Sequence, residues 1–125
     1  MAYAWYHARS SARKFGGQTE DYLSLHEWFD QTKMCWADTR HRAVLHHSFG
    51  IFLSEQVFGV TITRASDGKK VPTRLVGEQH IQEDLGRIPS LQDWLDELPY
   101  KTWMLANARP LSRELEREDP DNGTS

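Results

Sequence analysis

The chain has 125 residues, 38% of them hydrophobic and 11% aromatic, which suits one folded domain with a single core and excludes wholesale disorder. A formal charge of −3 excludes the broad positive footprint of a nucleic-acid binder, so nucleic acid is an unlooked-for partner despite the basic trio Arg9, Arg13 and Lys14. The single cysteine, Cys35, excludes a disulfide framework and cysteine-based zinc modules, and no apolar run reaches the ~20 residues of a membrane span.

The opening M-A-Y-A-W-Y-H-A-R has no apolar core of a secretory signal, so the expected compartment is the reducing cytoplasm. Residues 4–15 are compatible with a helix that Gly16-Gly17 stop. Thr19-Glu20-Asp21 restarts one, with acids at the positive end of the dipole and Tyr22, Leu25 and Phe29 at helical spacing. A third helix, capped by Asp30 or Thr32, is expected to run to Gly59 with Met34, Ala37, Val44, Leu45 and Phe52 on one face, bent or split at Gly50. V-T-I-T-R and K-V-P-T-R flank an Asp-Gly turn and predict a hairpin around residues 59–75, with Pro72 ending or edging its second strand.

From Leu75 a helical pattern returns and stops at Gly86. Ser90 then caps one more helix, with Asp93 three residues on in a near capping box and Pro99 as its limit. The expected architecture is mainly α, a compact helical bundle with one short β-hairpin. Residues 1–106 form its single domain, and 107–125 a charged, loosely ordered tail.

The chemistry lies in six histidines, three of them within W-A-D-T-R-H-R-A-V-L-H-H-S-F-G. On a straight helix His41 and His46 point roughly 140° apart and His46 and His47 about 100° apart, so this cluster is not one site by itself. Asp38 and His41, three apart, are neighbours on the apolar strip, as a structural pair or as half of a metal site. His80 and Asp84, four apart, make a natural two-toothed grip on a divalent ion, and His26 and Asp30 share that spacing. The arrangement chosen is Asp38 and His41 facing His80 and Asp84 across two helices, holding Zn, Mn, Fe or Ni. His46 and His47 would then transfer protons, although exposure on the polar side is the plainer expectation for His46. His7 follows Trp5 and Tyr6 and is open to either reading, packed polar residue or further ligand.

The segments H-A-R-S-S-A-R-K-F-G-G, D-Y-L-S-L-H-E-W-F-D, A-D-T-R-H-R-A-V-L-H-H, G-I-F-L-S-E-Q-V-F-G, G-E-Q-H-I-Q-E-D-L-G-R-I-P and D-W-L carry a resemblance over about residues 7 to 104. The chain resembles an uncharacterised family of small bacterial and bacteriophage proteins, grouped as a domain of unknown function. The resemblance implies a bacterial or phage cytosolic setting and no particular activity. Two functions are therefore expected. One is a metal-binding protein that hydrolyses a phosphorylated or nucleotide-like substrate, whose phosphate Arg40, Arg42, Arg13, Lys14 and Arg74 could receive, although pairing of these cations with the many acids is the plainer expectation. The other is a non-catalytic accessory module that engages a host protein, a small ligand or its own copies through its five tryptophans.

Overall fold

The computed structural model describes residues 3–106, so the expectation of a loose tail over 107–125 lies outside the described residues. Helix α1 (Tyr3–Phe15) ends at Gly16 and Gly17, whose φ of +92° and +83° reverse the chain into α2 (Glu20–Phe29). Tyr22 reaches back to donate to the Gly16 carbonyl at 2.6 Å, and Arg64 donates to that of Phe15 at 2.6 Å. These two bonds satisfy carbonyls that the end of α1 leaves without helical partners.

A short antiparallel pair, β1 (Thr61–Thr63) and β2 (Lys70–Pro72), follows α3 (Ser48–Phe58), with Ile62 opposite Val71. Pro72 ends the second strand, and α4 (Thr73–Leu85) starts at once, two residues before Leu75. Here the Thr73 side chain and amide both bond back across the strand pair, to Gly59 and Val60. The last helix, α5 (Leu91–Leu95), has the anticipated Ser90–Asp93 capping box. The fold is mainly helical with one small sheet. α1 packs on α2, α3 on α4, and α2 and α4 meet between them. Among the described residues no helix is long and apolar enough to cross a membrane.

The long helix expected from residue 32 to Gly59 does not form. Two 3₁₀ turns (Gln31–Met34 and Thr39–Ala43) and a bend precede α3. The cause is local competition from side chains: Asp38 and His47 both sit extended (ψ 179° and 173°), and each accepts a backbone N–H two or three residues ahead. The proposed apolar face therefore breaks up, with Leu45 buried but Met34 87% exposed.

The core runs through Tyr22, Leu25, Phe29, Ile51, Val76 and Ile81, yet four of its largest fully buried side chains are histidines: His26, His46, His47 and His80. Burying a polar ring without partners costs on the order of 1–3 kcal/mol, and among these four rings every nitrogen but Nδ1 of His46 has a hydrogen-bond partner.

Candidate metal centre

The site grows from the ends of two helices and one bend. The face of α2 that buries Tyr22, Leu25 and Phe29 carries His26 inward, and one turn later Asp30 closes the helix. On α4 the buried face of Val76 and Ile81 brings in His80, with Asp84 four residues on. His46 enters from the bend before α3, which Trp94 of α5 holds by donating its indole N–H to the His46 carbonyl at 2.9 Å.

Asp30, His46, His80 and Asp84 present four ligand atoms within 4.8 Å of one another. Nε2 of His80 lies 3.2 Å from Oδ1 of Asp30, 3.3 Å from Oδ2 of Asp84 and 3.2 Å from Nε2 of His46. Nε2 of His46 is 2.9 Å from Oδ2 of Asp84 and 3.5 Å from Oδ1 of Asp30. Bonds of about 2.0–2.2 Å to one ion would set neighbouring ligand atoms about 3.3–3.6 Å apart in a tetrahedron and about 2.8–3.1 Å in an octahedron. The observed spacings span both. Both histidine side chains are fully buried, whereas those of Asp30 and Asp84 are 10% and 13% exposed, so imidazoles form the floor and carboxylates the mouth.

A chain of hydrogen bonds decides which His80 nitrogen carries its proton. Gln79 donates its amide N–H to the His7 carbonyl at 3.0 Å, which turns its oxygen toward Ser11 Oγ, 2.6 Å away. Ser11 must donate there, so it accepts from Nε2 of His26 at 2.8 Å. Burial, helped by His80 and His7, pushes the His26 pKa down to about 2, so its ring holds one proton and its Nδ1 is bare. That bare Nδ1 lies 2.8 Å from Nδ1 of His80, which therefore donates to it. For a neutral His80, Nε2 is left as a lone pair aimed at two carboxylate oxygens. Something positive is needed among these acceptors. A proton satisfies one short contact, whereas a divalent ion satisfies all of them together.

The surrounding charges agree. Burial pushes the Asp84 pKa up, but its close contacts with the His46, His7 and His80 rings outweigh it and hold the carboxyl well below the usual carboxylate range. Asp30 is held down in the same way by His46 and His80. Burial lowers the pKa of His46, and Asp30 and Asp84 more than restore it. Outside the four, His7 sets Nε2 3.1 Å from Oδ1 of Asp84 and Nδ1 2.7 Å from Glu83, which Ser10 holds from its other oxygen at 2.6 Å.

Of the four ligands expected from sequence, His80 and Asp84 lie in this cluster and Asp38 and His41 do not. Asp38 is exposed and engaged by the Arg40 backbone and guanidinium and the Trp36 indole, with Arg40 bringing its pKa down to about 2. His41 is buried beside Thr32, Nδ1 to Oγ1 3.0 Å, and its ring centroid stands 5.8 Å from that of His46. The pairing assumed a regular α-helix through residues 38–41, where the chain instead makes a 3₁₀ turn capped by Asp38. His46, for which exposure on the polar side was the plainer expectation, is fully buried and a member of the cluster.

His47, expected to transfer protons, caps α3: its Nδ1 accepts from Gly50 N at 3.0 Å and its Nε2 donates to the Val44 carbonyl at 2.9 Å. Replacing it with Ala is expected to cost about 1 kcal/mol of stability, with Asn recovering part of that as a cap. Metal content of either folded variant should match the wild type. Loss of metal from a well-folded His47→Asn protein would return this ring to the site.

Asp30 was visible in sequence as half of an i,i+4 pair with His26. Nothing local marked Ser11 or Gln79, which meet His26 across three helices. Comparison with known proteins adds a family and little else. The model of the family described as Domain of unknown function (DUF6915) matches residues 2–104. No curated protein and no solved structure matches the chain.

Proposed function

The chain belongs to DUF6915, a domain of unknown function, and from that premise we propose that it is a divalent-metal protein and a metal-dependent hydrolase of a phosphorylated substrate. The observation that carries the metal reading is the meeting of four ligand atoms, at 2.9–3.5 Å for the pairs involving histidine, around Nε2 of His80. Two imidazoles and two carboxylates suit Zn, Mn, Fe or Ni. An ion there would polarise a phosphoryl oxygen and acidify a water on the side away from the histidine floor.

Hydrolysis is supported by what that side holds. A cleft of about 440 Å³ opens over Asp30 and Asp84, within the usual range for small-molecule sites. His41 lines it, and burial lowers its pKa, so it faces the cleft as a neutral imidazole able to accept a proton.

The test is elemental analysis of protein purified without a histidine tag, after incubation with each metal in turn. About one equivalent of one metal per chain is expected. Metal at 100 times its dissociation constant should add about 2.7 kcal/mol to stability, seen as a rise in Tm that a chelator reverses. Metal-free protein after supplementation, with no shift in Tm, would refute the reading. Release of phosphate from generic phosphate monoesters, dependent on the bound metal, tests the hydrolase part.

A further inference from the structure

The mouth of the metal site carries its own cations. Each cluster carboxylate divides its oxygens: Asp30 turns Oδ1 to the histidines and Oδ2 toward Lys33 Nζ at 3.8 Å. Asp84 turns Oδ2 to His46 and His80, and Oδ1 to His7 Nε2 at 3.1 Å and toward Arg42 Nη2 at 3.7 Å. At these separations the pairs attract through charge without forming hydrogen bonds. The Arg42 Nε is buried and has no hydrogen-bond partner among the described residues. Lys33, Thr39, His41 and Arg42 wall the cleft whose floor is Asp30 and Asp84. Asp38 also lines it, but Arg40 pairs with it at 2.7 Å.

We propose that this cleft binds a phosphate dianion, that Arg42 grips it, and that the ion in the metal centre switches the binding on. The inference rests on the metal reading. Without an ion, the two cluster carboxylates present negative charge at the floor of the cleft and oppose the entry of an anion. A divalent ion offsets the carboxylate charge and makes the cleft more positive, with Arg42 at its wall, toward a phosphate group carrying close to two negative charges at pH 7. The guanidinium fork then exchanges a long contact with Asp84 for paired hydrogen bonds to phosphate oxygens. The ligand class is a small molecule bearing a terminal phosphate.

Isothermal titration of inorganic phosphate into metal-loaded and chelator-stripped protein tests this, with acetate as the monoanion control and metal content measured in parallel. Phosphate is expected to bind the loaded protein at least tenfold more tightly than the stripped one, and acetate to bind neither appreciably. Arg42→Ala should weaken phosphate about tenfold with one metal still bound, and Arg42→Lys should fall between. Equal phosphate binding with and without metal overturns the proposal, as does an Arg42→Ala protein that retains both metal and full phosphate affinity. A chain that takes up metal and ignores phosphate sinks this inference alone. One that takes up no metal sinks the metal reading and this inference together.

Discussion

Replacing Gly50 with alanine is expected to remove at least about 3 kcal/mol of stability, because a Cβ there would make the closest approach of any at the described glycines. A Cβ at Gly50 would stand 1.8 Å from the Leu45 carbonyl oxygen, 2.6 Å from its carbon and 3.0 Å from its Cα. All three are backbone atoms, so no side chain can swing aside. That carbonyl is also fixed from the other side, accepting from His47 N at 2.9 Å, while the Leu45 side chain is buried in the core. Relief therefore requires moving the bend of residues 44–47 off α3, and that bend carries His46. Any folded fraction of Gly50→Ala should accordingly bind metal poorly. Gly68→Ala is the control: its Cβ meets nothing within 4 Å, and only the positive φ of 77° opposes it, at about 1 kcal/mol. Thermal unfolding of both variants decides the matter. A Gly50→Ala protein that melts with the wild type would mean that the bend does not lie against α3.

The same stretch marks the boundary of what was legible in the sequence. His80 and Asp84 could be paired because they lie within a regular helix, where a separation of four residues fixes their relative direction. The Ser90–Asp93 cap and the hairpin were legible for the same reason, since each is a local device that its own residues complete. Residues 36–50 have apolar positions at helical intervals, and angular arithmetic on that pattern sent His41 and His46 in different directions. The pattern lost to two side-chain caps, and once the backbone is not helical the arithmetic has nothing to act on. The His80–His26–Ser11–Gln79 chain was beyond reach in another way. Its members come from α1, α2 and α4, and only tertiary packing brings them together.

The sharpest separation between the site as expected and the site as found is a pair of isosteric changes, Asp84→Asn and Asp38→Asn. Asp84 is the hub of the cluster, meeting His46 and His80 with Oδ2, and His7 and Arg42 with Oδ1. An asparagine keeps its volume, and its amide can still accept from His46 on one side and donate to Nε2 of His7 on the other. The metal-free fold should therefore survive. What disappears is the charge. Changes to groups that merely orient ligands typically cost 10–100-fold in metal affinity, so losing the charge of a ligand itself should cost about 100-fold or more. Asp38→Asn should leave metal affinity unchanged, because that carboxylate is exposed and serves Arg40 and Trp36. Metal titrations followed by competition with a chelator of known affinity measure both. If the Asp38 variant loses the metal and the Asp84 variant keeps it, the centre lies at the first turn of residues 38–41 and not between α2 and α4.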